Sequence, residues 1–451
     1  MNKYNTYTQF PDIWISKIPA HWQAHKMKRL FVERSEKGHP NEPLLVASQK
    51  MGVVPKNVYG NRTVEAQKDL HLLKLVRIGD FVISLRSFQG GLEYAYYQGI
   101  ISPAYTILIP HEPMSGLYFR YLAKSKPFIK LLTLCVTGIR EGQNIDYTKL
   151  KNHLLPIPPR KEQDQIVRFL DWKVSSIHKL IDIKQKEIET LKEQRAALIT
   201  QATHCGIIKP SKLKKSGFAW MDDIPVHWHI RSFSKVAVVR AKLVSPQEHL
   251  EDMQISPASI EKGSGRILYT QTVKEAGVVS NNHRFYKGQI IYSKIRPLLN
   301  KVAIAPFDGL CSTDMYPIET TLEIRYLKYF MLSQNFLCQL SMTGDRVKMP
   351  RLNQGELASV FIAFPEDKKE QKEIADYLDD VCEQIQASIE CIKLYIATLR
   401  ELSARLIADT VTGKIDVRNI TVPEYECVED TADDGCEEES EAKEGLYGEE
   451  E

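Results

Sequence analysis

The chain has 451 residues, 43% of them hydrophobic and 26% charged, with a formal net charge of +3. That composition is that of a folded chain of two or three domains and excludes low-complexity and collagen-like proteins. No apolar run approaches the ~20 residues of a membrane-spanning helix, and the opening MNKYNTYTQFPDIW has no signal-peptide core, so a cytoplasmic location is expected.

The charge is unevenly spread. Thr421–Glu451 holds 11 Glu, 3 Asp and one Lys, a net −13 that leaves +16 on residues 1–420. A basic body points to a polyanionic partner. The tail is too charged and too poor in apolar residues to fold alone; it reads as a solvated end, or as a DNA mimic competing for the basic surface. The eight cysteines form no CxxC pair, so no metal site is expected.

In chain order, Ile18-Pro19-Ala20-His21-Trp22 precedes a helix-like KMKRLFVERSEKG. Next, LVRIGDFVISLRSFQGG (Leu75–Gly91) alternates apolar residues between glycines, as strands and turns do. YFRYLAKSKPFIKLLT reads as one short amphipathic helix, Thr137-Gly138 opens a polar loop, and HLLPIPP is a strand. From Pro158 a long helix begins with Lys161-Glu162-Gln163, continues through Phe169-Leu170-Asp171 and ends near Gly206.

The pattern then starts again. Ile224-Pro225-Val226-His227-Trp228 leads into RSFSKVAVVRAKL, RFYKGQIIYSKIRPLLNK (Arg284–Lys301), a helical IRYLKYFMLSQNFLCQL, Thr343-Gly344 and SVFIAFP. A second long helix follows Pro365 with Lys369-Glu370-Gln371 and Tyr377-Leu378-Asp379, ending near Gly413. Its apolar residues, Ile374, Leu378, Val381, Ile385, Ile389, Ile392, Ile396, Leu399, Leu402 and Leu406, recur in steps of three and four. That is a coiled-coil seam, and about 40 residues at 1.5 Å each make a rod on the order of 60 Å. The natural partner for each rod is the other copy, since an internal repeat fixes the architecture.

No catalytic signature stands out. Thr412-Gly413-Lys414 lacks the Gly-rich loop of a phosphate cradle, and neither GxSxG nor HExxH occurs. The His-Trp pairs at His21 and His227 read as packing corners rather than catalytic bases, and Pro365-Glu366-Asp367-Lys368 as a helix cap rather than a nuclease cluster. Basic and amide side chains, in contrast, gather in matched loops. The first repeat offers Gln49, Lys50, Arg86, Gln89, Arg140, Gln143 and Asn144. The second offers Lys294, Arg296, Asn300, Lys301, Arg346, Lys348 and Arg351. Arg reads guanine edges, Asn and Gln read adenine, and Lys neutralises phosphate. Both repeats place an Arg shortly after a matched Ser (Ser84, Ser293).

The paired Ile-Pro-x-His-Trp openings, the strands that end in Ser84 and Ser293, and the Pro…Lys-Glu-Gln…Leu-Asp helix starts resemble the specificity (S) subunit of Type I restriction–modification systems, over roughly residues 11–417. The resemblance implies an α+β chain: two α/β target recognition domains with pseudo-two-fold symmetry, separated by two long helices forming an antiparallel intramolecular coiled coil. The domains would be 1–157 and 209–364, the helices 158–208 and 365–417, and the acidic tail 418–451. Each recognition domain would read half of a bipartite site in double-stranded DNA, and the helices would set the spacer and hold two methyltransferase subunits. The chain would be non-catalytic and hold no cofactor. S-adenosylmethionine, ATP and Mg would belong to methyltransferase and restriction subunits. A free-standing nuclease or methyltransferase, and a coiled-coil scaffold without DNA binding, are the alternatives.

Overall fold

The computed structural model describes residues 2–59, 69–137, 144–208, 210–342 and 351–425. The chain divides into two compact units. Among the described residues, one comprises those up to Lys184 together with Leu394–Tyr425, and the other comprises Gln185–Lys393. The long helices, Arg160–Cys205 and Lys368–Val411, are therefore shared. Each unit contains the N-terminal part of one and the C-terminal part of the other.

The two units are built alike. In the first, a four-stranded sheet runs in the order Phe31–Arg34, Thr106–Pro110, Phe81–Ile83, Glu93–Tyr94. In the second, the same positions are taken by Ala237–Val239, Met315–Thr320, Ile290–Ser293 and Val302–Ile304. Their central strands are buried on both faces, which suits runs such as FVI and IIYS. Each unit also has a second patch of sheet. In the second unit it is one five-stranded sheet in which Met253–Ile255 runs parallel to Gly309–Cys311. In the first it is looser, with a hairpin of Leu45–Ser48 and Gly52–Pro55 joined by a parallel Leu44–Ile100 bridge to the pair Gly99–Ile101 and Lys74–Val76.

Two expectations are corrected. KMKRLFVERSEKG is not helical: Met27–Arg29 is a single 3-10 turn, and Phe31–Arg34 is a strand paired with Thr106–Pro110. RSFSKVAVVRAKL likewise holds only one helical turn, Phe233–Val236, before strands Ala237–Val239 and Lys242–Val244. Tertiary strand pairing overrides weak helical periodicity there. The amphipathic helix of each repeat is two, Gly116–Lys124 with Lys126–Leu134, and Ile324–Leu332 with Gln334–Met342. The break falls on Ser125 and Ser333, whose hydroxyls donate to Leu122 O (2.7 Å) and Phe330 O (2.6 Å). Such local bonds offer the backbone an alternative to the helix, and both serines take extended conformations.

The seam pairs the long helices within each unit. Ile166, Phe169 and Leu170 share a core with Leu406 and Val411, and Ile199 and Ala202 share one with Ile374 and Leu378. Leu402 is the exception, lying exposed while Ser403 is buried, because the step from Leu399 is four rather than three. Arg195 is buried in the other helix, donating to Gln386 Oε1 at 3.1 Å.

The repeated motifs explain how each globular part is fastened. Glu162 accepts from Tyr4 Oη (2.6 Å) and Trp22 Nε1 (3.0 Å) and pairs with His21 Nε2 (2.7 Å). Glu370 accepts from Trp228 Nε1 (2.9 Å) and pairs with His227 Nε2 (3.0 Å). The next residue closes the first turn over a loop: Gln163 accepts from Ser115 N and Gln371 from Glu323 N, both at 2.8 Å. Asp171 holds Tyr121 and Arg120, and Asp379 holds Tyr329 and Lys328. Finally, Tyr118 Oη donates to Val411 O (3.0 Å) and Tyr326 Oη to Thr203 O (3.4 Å). Each fully buried tyrosine thus meets the C-terminal end of the long helix that began in the other repeat. Asp367 caps the second helix, accepting from Lys369 N at 2.8 Å.

Candidate nucleic-acid interface

In the first unit the buried strand Phe81–Ile83 ends at Ser84, whose backbone N–H donates to Ser87 Oγ at 2.8 Å. This starts the helical turn Ser87–Gly90 and leaves Arg86 and Gln89 exposed on a short, tightly bound corner. The hairpin joining Leu45–Ser48 to Gly52–Pro55 lies against it: Gln49 Nε2 donates to Arg86 O at 2.9 Å. Lys50 is the next exposed residue of that hairpin. Asn144, exposed, pairs with Thr137, and its strand touches the Ser87–Gly90 turn. Gln49, Lys50, Arg86, Gln89 and Asn144 are therefore brought together. Arg140 and Gln143 lie outside the described residues.

In the second unit Ile290–Ser293 ends at the equivalent point. Ser293 N donates to Lys301 O (2.9 Å), Lys294 N to Asp314 O (2.9 Å) and Leu352 N to Lys294 O (2.8 Å), while Ile295 bridges to Arg351. Lys294, Arg296 and Arg351 thus share one cluster. Lys294 Nζ stands 5.4 Å from the Tyr316 ring centre, and Arg351 is 3.8 Å from Asp314. Arg296 and Asn300 both adopt left-handed backbone (φ 44° and 48°) around the Pro297–Leu299 turn. Non-glycine residues seldom do so, and such outliers concentrate at functional loops. Lys301 donates from Nζ to Pro257 O at 2.9 Å, while Asn300 is buried. Arg346 and Lys348 lie outside the described residues.

Two residues beside these clusters escape a reading by residue type. Glu93 is fully buried, with Oε2 2.6 Å from Lys124 Nζ. Burial pushes its carboxyl up to about 7 against the opposing pull of Lys124. His283, buried near Lys294, is held below the usual imidazole range by desolvation and then by that lysine. The one sequence signal for Glu93 is an acid flanked by Leu92 and Tyr94. Among the described residues no group of His, Cys, Asp and Glu could hold a metal ion, and no helix is long and apolar enough to cross a membrane.

The duplicated scaffold has known counterparts. Residues 226–391 match the family model for the Type I restriction modification DNA specificity domain. The chain is 29% identical over 298 residues to the Type I restriction enzyme EcoDI specificity subunit of Escherichia coli, spanning 62% of this chain and 67% of that one. Residues 226–391 thus resemble that specificity domain, and the likeness to specificity subunits extends along most of the chain. A longer match, 23% identical over 448 residues, is to the putative MjaX specificity subunit of Methanocaldococcus jannaschii, covering 91% of this chain and 97% of the relative. A chain from a solved type I R-M system, described for its complex assembly and conformational transition, shares the fold with a TM-score of 0.63 at 13% identity. It covers 88% of this chain and 99% of its own length.

Proposed function

We propose that this chain confers DNA sequence specificity on a Type I restriction–modification complex, each globular part reading one half of a bipartite site. The observation that carries this reading is the repetition of one corner. In both units a buried strand ends in Ser84 or Ser293, and an exposed Arg86 or Arg296 follows on a backbone pinned by hydrogen bonds. A pinned backbone aims a side chain without the ordering penalty of a mobile loop. Arginine is suited to the two acceptors of guanine, and the neighbouring Gln49, Gln89 and Asn144 to adenine.

The chain itself is non-catalytic on this reading. Two methyltransferase subunits bind it and supply S-adenosylmethionine chemistry, and restriction subunits joined through them supply ATP- and magnesium-dependent cleavage. The paired long helices act as the spacer between half-sites, since a rigid rod fixes a distance that a flexible linker cannot. The test is Arg86→Ala and Arg296→Ala in the assembled methyltransferase. Each is expected to relax the base preference in a different half-site by about 1–3 kcal/mol. Unchanged methylation of both half-sites by either variant removes that residue from the interface.

A further inference from the structure

Lys124 ends the helix Gly116–Lys124 and reaches two partners at once. Its Nζ is 2.6 Å from Glu93 Oε2 and 3.0 Å from the backbone oxygen of Gln49. Glu93 is wholly buried, and its second oxygen, Oε1, has no hydrogen-bond partner. A buried carboxylate so placed confines the one ammonium group that neutralises it. The ammonium in turn holds the hairpin at Gln49.

Gln49 is fixed from two other directions. Its side chain donates to Arg86 O, and it occupies the space where a Cβ on Gly90 would stand, 2.7 Å from Gln49 Cδ. Next to it, a Cβ on Gly91 would collide with the backbone oxygen of Ala123, one residue before Lys124. Helix end, hairpin and helical turn are therefore packed as one block, with Lys124 at its centre.

We infer that Lys124 and Glu93 are positioning residues for DNA reading by the first unit: together they set the hairpin of Gln49 and Lys50 against the corner of Arg86 and Gln89. Neither touches DNA. This rests on the reading of those loops as base-contacting. The second unit meets the same need differently, with Lys301 holding the backbone oxygen of Pro257, just past strand Met253–Ile255.

The experiment assembles the chain with its methyltransferase subunits and lets the complex select from a pool of randomised duplexes, which are then sequenced. Glu93→Met combined with Lys124→Met removes both charges and leaves no unpaired one. The expected result is about a tenfold loss of base preference, confined to one half-site, with the other half and the salt-dependent binding of unrelated DNA retained. Gly90→Ala displaces the Gln49 side chain without touching the buried pair and is expected to weaken the same half-site. Glu93→Gln keeps an acceptor for Lys124 and is expected to select as the wild type does. Wild-type selection in both half-sites by the folded double variant overturns the inference, as does wild-type selection by Gly90→Ala should the double variant not fold. Gln49→Ala and Arg86→Ala separate the two levels. If they alter selection while the double variant does not, positioning fails and reading stands; if they too leave it unaltered, the reading itself fails.

Discussion

The two units share sheet order, helix pair and fastening motif, yet differ where they meet the proposed ligand. The first presents a short hairpin docked on a helical turn, with glycines admitting close approach. The second presents a turn with two left-handed non-glycine residues, beside a complete five-stranded sheet. The contrast shows which constraints belong to the scaffold and which to the reading surface. Scaffold contacts such as Glu162 with Trp22 and Glu370 with Trp228 recur in both units, whereas the corner that follows each buried strand is pinned by different bonds.

That comparison can be pressed hardest at the fastening glutamates. Glu162 is 5% exposed and serves Tyr4, His21 and Trp22, while Glu370 is 30% exposed and serves His227 and Trp228. Glu162→Ala strands buried donors and is expected to cost about 3 kcal/mol in denaturant unfolding, against about 1 kcal/mol for Glu370→Ala. Equal losses would mean that the extra burial in the first unit has no energetic consequence.

Smaller effects are expected at the glycines that end the long helices. Gly206 and Gly413 are both left-handed, at φ 82° and 74°. A Cβ on Gly413 would run into Pro19 and crowd Trp22, whereas one on Gly206 would meet nothing nearer than 3.8 Å. Gly413→Ala should therefore cost about 2 kcal/mol and Gly206→Ala about 1 kcal/mol, the latter being backbone strain alone. Melting temperatures of the two variants measure the difference.

Glu93 also gives the first unit a dependence on pH. Glu93 has its carboxyl raised from the usual 4.5 to about 7. A raised carboxyl keeps its proton in the folded state after the unfolded chain has lost it. Stability therefore falls as pH rises from about 4.5 to 7 and is level above, by about 3 kcal/mol at most. Glu93→Gln should lack that slope when unfolding midpoints at pH 5 and pH 8 are compared with the wild type.

The long helices were legible because their seam repeats over many turns, and a single error at Leu402 does not disturb it. The strands after Trp22 and Trp228 were not, since KMKRLF and SFSKVAVV carry apolar spacings that fit either state, and pairing with Thr106–Pro110 or Met315–Thr320 decides. The repetition of Lys-Glu-Gln announced that Glu162 and Glu370 matter, but their partners lie about 140 residues away, beyond any local pattern. Residue type pointed to Arg86 and Arg296, but the left-handed backbone at Arg296 is a preference neither of arginine nor of a residue before proline. Lys124 and Glu93 were hidden for a related reason: a salt bridge between two elements has no sequence period.

The bond from Tyr118 to Val411 spans 293 residues, and Leu406, Val411 and Val417 complete the core of the unit that contains the N-terminus. The order of synthesis therefore differs from the order of assembly. The first globular part leaves the ribosome early but lacks part of its interior until Leu406, Val411 and Val417 have been made. The second part, by contrast, has all its described residues once Lys393 has emerged. Contacts of such sequence separation form slowly, and an N-terminal unit waiting with an open apolar face is exposed to aggregation or to misplaced partners meanwhile.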